Sequence, residues 1–117
     1  MENILLRRPT TPIVISLADF ETASRIDGSR INSICGTLQY MAPEMIELIL
    51  DEKSTRGYGK PVDMWALGII SFSLISGGYP FPISVYENDP RLLKSVLKGD
   101  LIFGQEWIGK TTLGRHL

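Results

Sequence analysis

A chain of 117 residues with a formal net charge of −1 and 44% hydrophobic residues has the composition of an ordinary globular protein, without the basic surplus that nucleic-acid or membrane-surface binding brings. One cysteine, Cys35, excludes an internal disulfide, and no charged-then-apolar leader follows Met1. The expectation is therefore an intracellular protein, cytoplasmic or nuclear, built as one structural unit or a piece of one, with neither nucleic acid nor membrane as partner.

Residues Ile4 to Leu6 and Pro12 to Leu17 are short apolar runs with β-branched residues, separated by the turn-like stretch Arg7 to Thr11, and they predict a small hairpin. Asn3 precedes its first strand and Asp19 follows its second, so an amide and a carboxylate fall at adjacent strand ends. Two such oxygen donors either share a divalent cation or serve as turn and cap residues; spacing alone leaves both open. From Glu21 to Gln39 the pattern becomes polar and aperiodic and predicts a long exposed loop, a length that is uncommon without a function.

Tyr40 to Leu50 is apolar at Met41, Met45, Ile46, Leu48, Ile49 and Leu50, with Pro43 suited to the first turn of a short helix. The charged, glycine-bearing stretch Asp51 to Lys60 predicts a solvated connection. Val62 to Gly77 then has apolar residues on nearly every face, which predicts a buried helix started by Pro61 and stopped by Gly77-Gly78. At sixteen residues, with Asp63 inside it, the segment is too short and polar for a membrane span. An acid near the start of a buried helix needs a partner. Tyr79 to Glu87 reads as turns with aromatic anchoring, and Asp89 to Leu97 as an amphipathic helix capped by Asp89 and started by Pro90. Leu101 to Phe103 is strand-like.

Gly104, Gly109, Lys110 and Thr111 satisfy the phosphate-loop pattern G-x-x-x-x-G-K-[ST]. The chemistry needs a helix after the lysine, and the six residues after Thr111 cannot supply one, so the match is read as chance. His116 is assigned no role.

Four stretches taken together carry more. Glu2-Asn3-Ile4-Leu5-Leu6, Ala18-Asp19-Phe20, the run from Cys35 to Glu44 (CGTLQYMAPE) and Val62-Asp63-Met64-Trp65-Ala66-Leu67-Gly68 resemble, in order and spacing, the C-terminal lobe of a eukaryotic protein kinase. The Cys-Gly-Thr form resembles serine/threonine kinases, above all the calcium/calmodulin-dependent and checkpoint types. The resemblance implies an α+β fold, mostly helical with a small β-hairpin and truncated at both ends, with residues 1–108 a partial kinase domain and 109–117 an unassigned tail. It implies ATP and Mg2+ as cofactors, with Asn3 and Asp19 as cofactor and metal ligands, and a protein substrate or docking partner. Glu21 to Gln39 becomes the activation loop, with Ser33 either a phosphorylation switch or a plain loop serine. Thr37 would support the catalytic loop, Leu38 to Tyr40 would receive the substrate residue after the phosphorylated one, and Glu44 and Asp63 would be structural. Cys35 is read as packing.

The departures are equally definite. Glu21 stands where the family has the glycine of Asp-Phe-Gly, a costly change of about 1–2 kcal/mol if that position needs positive φ. The segment bearing the catalytic base, the glycine-rich loop and the ATP-pairing lysine are not among the 117 residues. The isolated chain is therefore expected not to catalyse, and a non-catalytic, pseudokinase-like binding module is the alternative reading.

Overall fold

The computed structural model describes residues 2–8, 11–25, 27–51, 53–81 and 89–102. Two antiparallel strands, β1 (Ile4–Arg8) and β2 (Val14–Leu17), form the expected hairpin. The register pairs Ile4 with Leu17 and Leu6 with Ile15, and slips by a bulge between Leu6 and Arg8. A two-stranded ribbon has no second layer of its own to cover either face. Accordingly Leu5, Leu6, Ile15 and Leu17 are all exposed, and none of the hairpin's apolar residues joins the described core.

Three helices follow: α1 (Pro43–Leu50), α2 (Pro61–Ser76) and α3 (Pro90–Lys98). Each starts on a proline, whose missing N–H has no intrahelical partner at that position anyway. α3 is the most completely specified. The Asp89 carboxylate accepts the Arg91 N–H at 2.9 Å and pairs with the Arg91 guanidinium at 3.0 Å. Gly99, in the left-handed conformation at φ 70°, ends the helix. Its apolar stripe Leu92, Leu93 and Val96 is buried, while Arg91, Lys94 and Lys98 face solvent.

The core gathers Met41, Met45, Ile46 and Leu48 of the α1 region, Tyr58, Ile69 of α2, Phe81, and the stripe of α3. Trp65 stacks on Phe81 with ring centroids 5.9 Å apart and planes 12° from parallel. A 3₁₀ turn over Leu38–Tyr40 leads into α1 and packs against α2. The Tyr40 and Tyr79 hydroxyls hydrogen-bond at 2.8 Å above edge-on rings.

Two expectations are corrected. α2 has the expected ends, with Gly77 at φ 76° and its N–H donated to the Ser73 carbonyl at 2.9 Å, but it is not buried all round. Only Ile69 and Ser73 are buried; Met64, Leu67, Leu74 and Ile75 are exposed, Leu74 at 70%. The physical reason is geometrical: the described residues cover one side of a helix whose apolar residues point to all sides. Ser73 and Ser76 turn their hydroxyls back onto the carbonyls of Ile69 and Phe72, which keeps those polar groups satisfied inside the helix. The second correction concerns Leu101 and Ile102, which form no strand; the Ile102 N–H donates to the Pro80 carbonyl at 2.6 Å. Phe103, the phosphate-loop match, His116 and residues 82–88 lie outside the described residues.

Burial sorts the helix substitutions. Leu92→Ala, at a fully buried position, should cost about 2–5 kcal/mol in urea unfolding, while Leu74→Ala should change stability by less than about 0.5 kcal/mol. Replacing Leu67, Leu74 and Ile75 together by glutamine should raise the concentration at which the chain stays unaggregated, measured by light scattering.

Candidate functional site

The hairpin creates the first candidate locus. Beyond the Ile4–Leu17 pair, the Ala18 N–H donates to the Asn3 carbonyl at 2.9 Å, which extends the pairing by one residue and sets Asn3 beside Asp19. The Asn3 Nδ2 donates to Asp19 Oδ2 at 3.2 Å, on the surface. Asp19 adopts φ 64°, the one left-handed non-glycine residue among those described. Aspartate tolerates that region better than most side chains, at a cost of about 1–2 kcal/mol. Glu21 sits in the turn that follows and is not left-handed, so the condition for strain at that position is not met.

As a donor set, one carboxylate and one amide oxygen suit magnesium, which takes one or two protein ligands and leaves its remaining positions to phosphate and water. No group of three or more His, Cys, Asp or Glu capable of holding a metal occurs among the described residues. The pair thus fits an ion shared with a phosphate ligand and does not fit an all-protein metal cage.

The loop after the pair is polar and exposed, as its composition implies. Asp27 caps its own turn, accepting the Ser29 N–H at 3.1 Å and hydroxyl at 2.7 Å, which holds its carboxyl below the usual carboxylate value. Further on, the loop is caught by residues just before α2. Ile31 and Tyr58 exchange backbone hydrogen bonds of 2.9 and 2.8 Å, and the Tyr58 hydroxyl donates to the Ser33 carbonyl at 2.6 Å. Cys35 Sγ lies 3.9 Å from the same hydroxyl, consistent with a packing role. Burial, then the thiol contact, pushes the Tyr58 phenol up.

The remaining predicted residues are dispersed. Ser33 and Thr37 are exposed, and Thr37 precedes the 3₁₀ turn without a side-chain cap bond. Glu44 occupies the first turn of α1, half-buried. Asp63 occupies the first turn of α2, where the helix dipole favours a carboxylate; it is exposed, its N–H donates to the Lys60 carbonyl at 3.1 Å, and no described residue hydrogen-bonds its carboxylate. An acid in water needs no buried partner, which removes the demand the sequence raised. An apolar groove of about 520 Å³ between α1 and α3, lined by Ile49, Leu50, Leu93 and Leu97 with Lys94 and Lys98 on it, shares no residue with these loci.

Sequence reasoning missed Arg30, Gly57 and Tyr58, because Arg30 lies in the stretch read as a long exposed loop and the other two in the stretch read as a solvated connection. An aromatic between two glycines inside an otherwise charged linker was the available signal.

Residues 1–106 match the family described as Protein kinase domain. The chain belongs to the protein kinase family. It is 34% identical over 118 residues to the human phosphorylase b kinase gamma catalytic chain, liver/testis isoform, covering 99% of this chain and 27% of that protein. It is 36% identical over 102 residues to the rat calcium/calmodulin-dependent protein kinase type 1B, covering 87% and 27%. A probable serine/threonine-protein kinase pXi of Dictyostelium discoideum is 34% identical over 138 residues, covering 98% and 19%. This kinase chain therefore spans about a quarter or less of the length of these curated relatives. No helix among the described residues is long and apolar enough to cross a membrane.

The hydroxyl pair next to the 3₁₀ turn gives a pH test. Burial first, then the Tyr79 hydroxyl, pushes the Tyr40 phenol from 10 up to about 12. The folded state thus keeps a proton that the unfolded chain releases, so the contribution is whole below pH 10 and disappears as pH rises toward 12. Urea midpoints should fall more steeply across that window for the natural chain than for Tyr40→Phe. At neutral pH, Tyr40→Phe and Tyr79→Phe should each cost about 1 kcal/mol, and the double variant less than their sum, because it leaves no hydroxyl unpaired.

Proposed function

We propose that the chain is part of the C-terminal lobe of a serine/threonine kinase whose complete form transfers the γ-phosphoryl group of Mg·ATP to protein hydroxyls. Residues 1–108 are the kinase portion, and 109–117 a tail of no assigned role. The observation that carries the reading is the Asn3–Asp19 pair at the open end of the hairpin, 3.2 Å apart within a chain of this family.

In this reading Asn3 and Asp19 hold magnesium with their side-chain oxygens. Among the described residues, no partner is found for Asn3 Oδ1 or Asp19 Oδ1, so each has an oxygen to offer. When bound, magnesium neutralises charge on the phosphate oxygens and aligns them. The chain's own contribution is positional: the hairpin register fixes the separation of the two ligands, and the left-handed backbone at Asp19 turns the chain away immediately afterwards. Leu38–Tyr40, braced by the Tyr40–Tyr79 hydroxyl pair, receives the substrate residue that follows the acceptor, and Thr37 supports the catalytic loop. Ser33, exposed in the activation loop, is the phosphorylation site. Glu44 and Asp63 serve the framework.

The 117 residues contain no His-Arg-Asp triplet and no Gly-x-Gly-x-x-Gly run, so in this reading the chain by itself does not turn over, and the alternative is a non-catalytic, pseudokinase-like protein-binding module. Phosphoryl transfer depends on positioned charge, most of which those segments supply.

The test has two arms. In a complete kinase containing this chain, Asp19→Ala should lower kcat on a serine-containing protein substrate by roughly a hundredfold or more, a loss typical of removing one positioned electrostatic group. The isolated chain, titrated with Mg·ATP by calorimetry and assayed for ADP, should show no turnover. Wild-type activity of the Asp19→Ala kinase would falsify the metal assignment, and ADP release by the isolated chain would remove the non-catalytic reading of the piece.

A further inference from the structure

The contact between the activation loop and the segment before α2 has a consequence for Ser33. Four residues of the loop are engaged there. Arg30 Nη1 donates to the Gly57 carbonyl at 3.4 Å, and Ile31 exchanges two backbone hydrogen bonds with Tyr58. The Ser33 carbonyl accepts from the Tyr58 hydroxyl, and Cys35 packs on that hydroxyl. Tyr58 itself is anchored in the core at 4% exposure, so the donor is held by packing as well as by its bonds. Gly57, at φ +56°, allows the close approach: a Cβ there would meet Asn32 Oδ1 at 2.6 Å, Arg30 Cβ at 2.7 Å and the Ile31 carbonyl at 2.9 Å.

Arg30 precedes Ser33 by three positions, a spacing at which an incoming kinase can read a guanidinium with its own carboxylates while the serine enters its active site. In the folded chain both ends of that short motif are occupied, the guanidinium by Gly57 and the acceptor's carbonyl by Tyr58. To enter another protein's cleft, residues 30–35 must first leave this surface, a local opening with its own free-energy cost.

We infer that Gly57 and Tyr58 form a latch that withholds the Arg30–Ser33 motif from a modifying serine/threonine kinase until the loop lifts away. The inference rests on the reading of Ser33 as the modification site. The reaction itself is ordinary transfer: the Ser33 Oγ forms a bond to the γ-phosphorus of ATP supplied with the second kinase, the bond to the β–γ bridging oxygen breaks, ADP leaves with that electron pair, and the hydroxyl proton passes to the second kinase's base. The latch sets how often Oγ is available.

The whole chain, its Tyr58→Phe and Gly57→Ala variants, and a free peptide of residues 27–39 are incubated with Mg·ATP and a purified serine/threonine kinase that selects arginine three residues before its acceptor. Site-resolved mass spectrometry gives the Ser33 rate, and hydrogen exchange follows the Ile31 amide and, as a check on the fold, the amides of α1. Tyr58→Phe keeps the packed ring and removes one hydrogen bond worth about 1 kcal/mol, so Ser33 should be modified about fivefold faster. Gly57→Ala should act in the same direction, and the peptide should be fastest. Faster Ile31 exchange with Ser33 rates equal to those of the natural chain overturns the latch while leaving Ser33 a substrate. A peptide that is not modified instead overturns the reading of Ser33 itself.

Discussion

A helix with apolar residues on every side can be covered only if other elements surround it, and this requirement governs the whole molecule. The 3₁₀ turn over Leu38–Tyr40 and Phe81 lie against one side of α2, where Ile69 is buried and Trp65 stacks on Phe81. Leu67, Leu74 and Ile75 are open to solvent. Each such side chain is worth about 1.5–3 kcal/mol when fully removed from water, so several residues' worth of burial energy is available to whatever closes over them. Among the described residues, α2 thus meets the core on one side and leaves the other side open to a further layer.

The local features were the ones legible from sequence, because local chemistry dictates them. Pro43, Pro61 and Pro90 start helices through a missing N–H, Gly77 and Gly99 end them through left-handed backbone, and Asp89 caps through a short carboxylate. The hairpin followed from β-branched runs, and the neighbourhood of Asn3 and Asp19 followed from the hairpin. Burial of α2 was not legible, since burial is a property of what lies opposite a residue and the apolar pattern reports only the demand. The contact of Ile31 and Ser33 with Tyr58 was equally hidden. It joins residues more than twenty positions apart through backbone groups and the Tyr58 hydroxyl, and such a contact leaves no mark in side-chain periodicity.

The family match explains the conserved-looking order of the motifs without explaining how these residues are held. The Asn3–Asp19 pair depends on a ribbon that contributes nothing to the described core, so its geometry rests on strand pairing alone. A two-stranded ribbon is marginal in water by itself. Among the described residues, α2 is open on one side and the candidate metal ligands sit on an element outside the core.

The polar loop after Asp19 is tied at two places and by different means. At its start, the left-handed Asp19 and the Asn3 amide fix the direction of departure. Toward its end, Tyr58, rooted in the core between α1 and α2, grips Ile31 and Ser33. Between these ties the described chain makes the Phe20–Ala23 turn and the Asp27–Ser29 turn, both internal to the loop, and the contact of the Arg30 guanidinium with the Gly57 carbonyl beside the second tie. A loop so arranged can release one tie while keeping the other. Loss of the Tyr58 contact would free Ser33 without displacing Asp19, because no described hydrogen bond links the two ties. The two ties are thus separable, and the core, through Tyr58, holds the one nearer to Ser33.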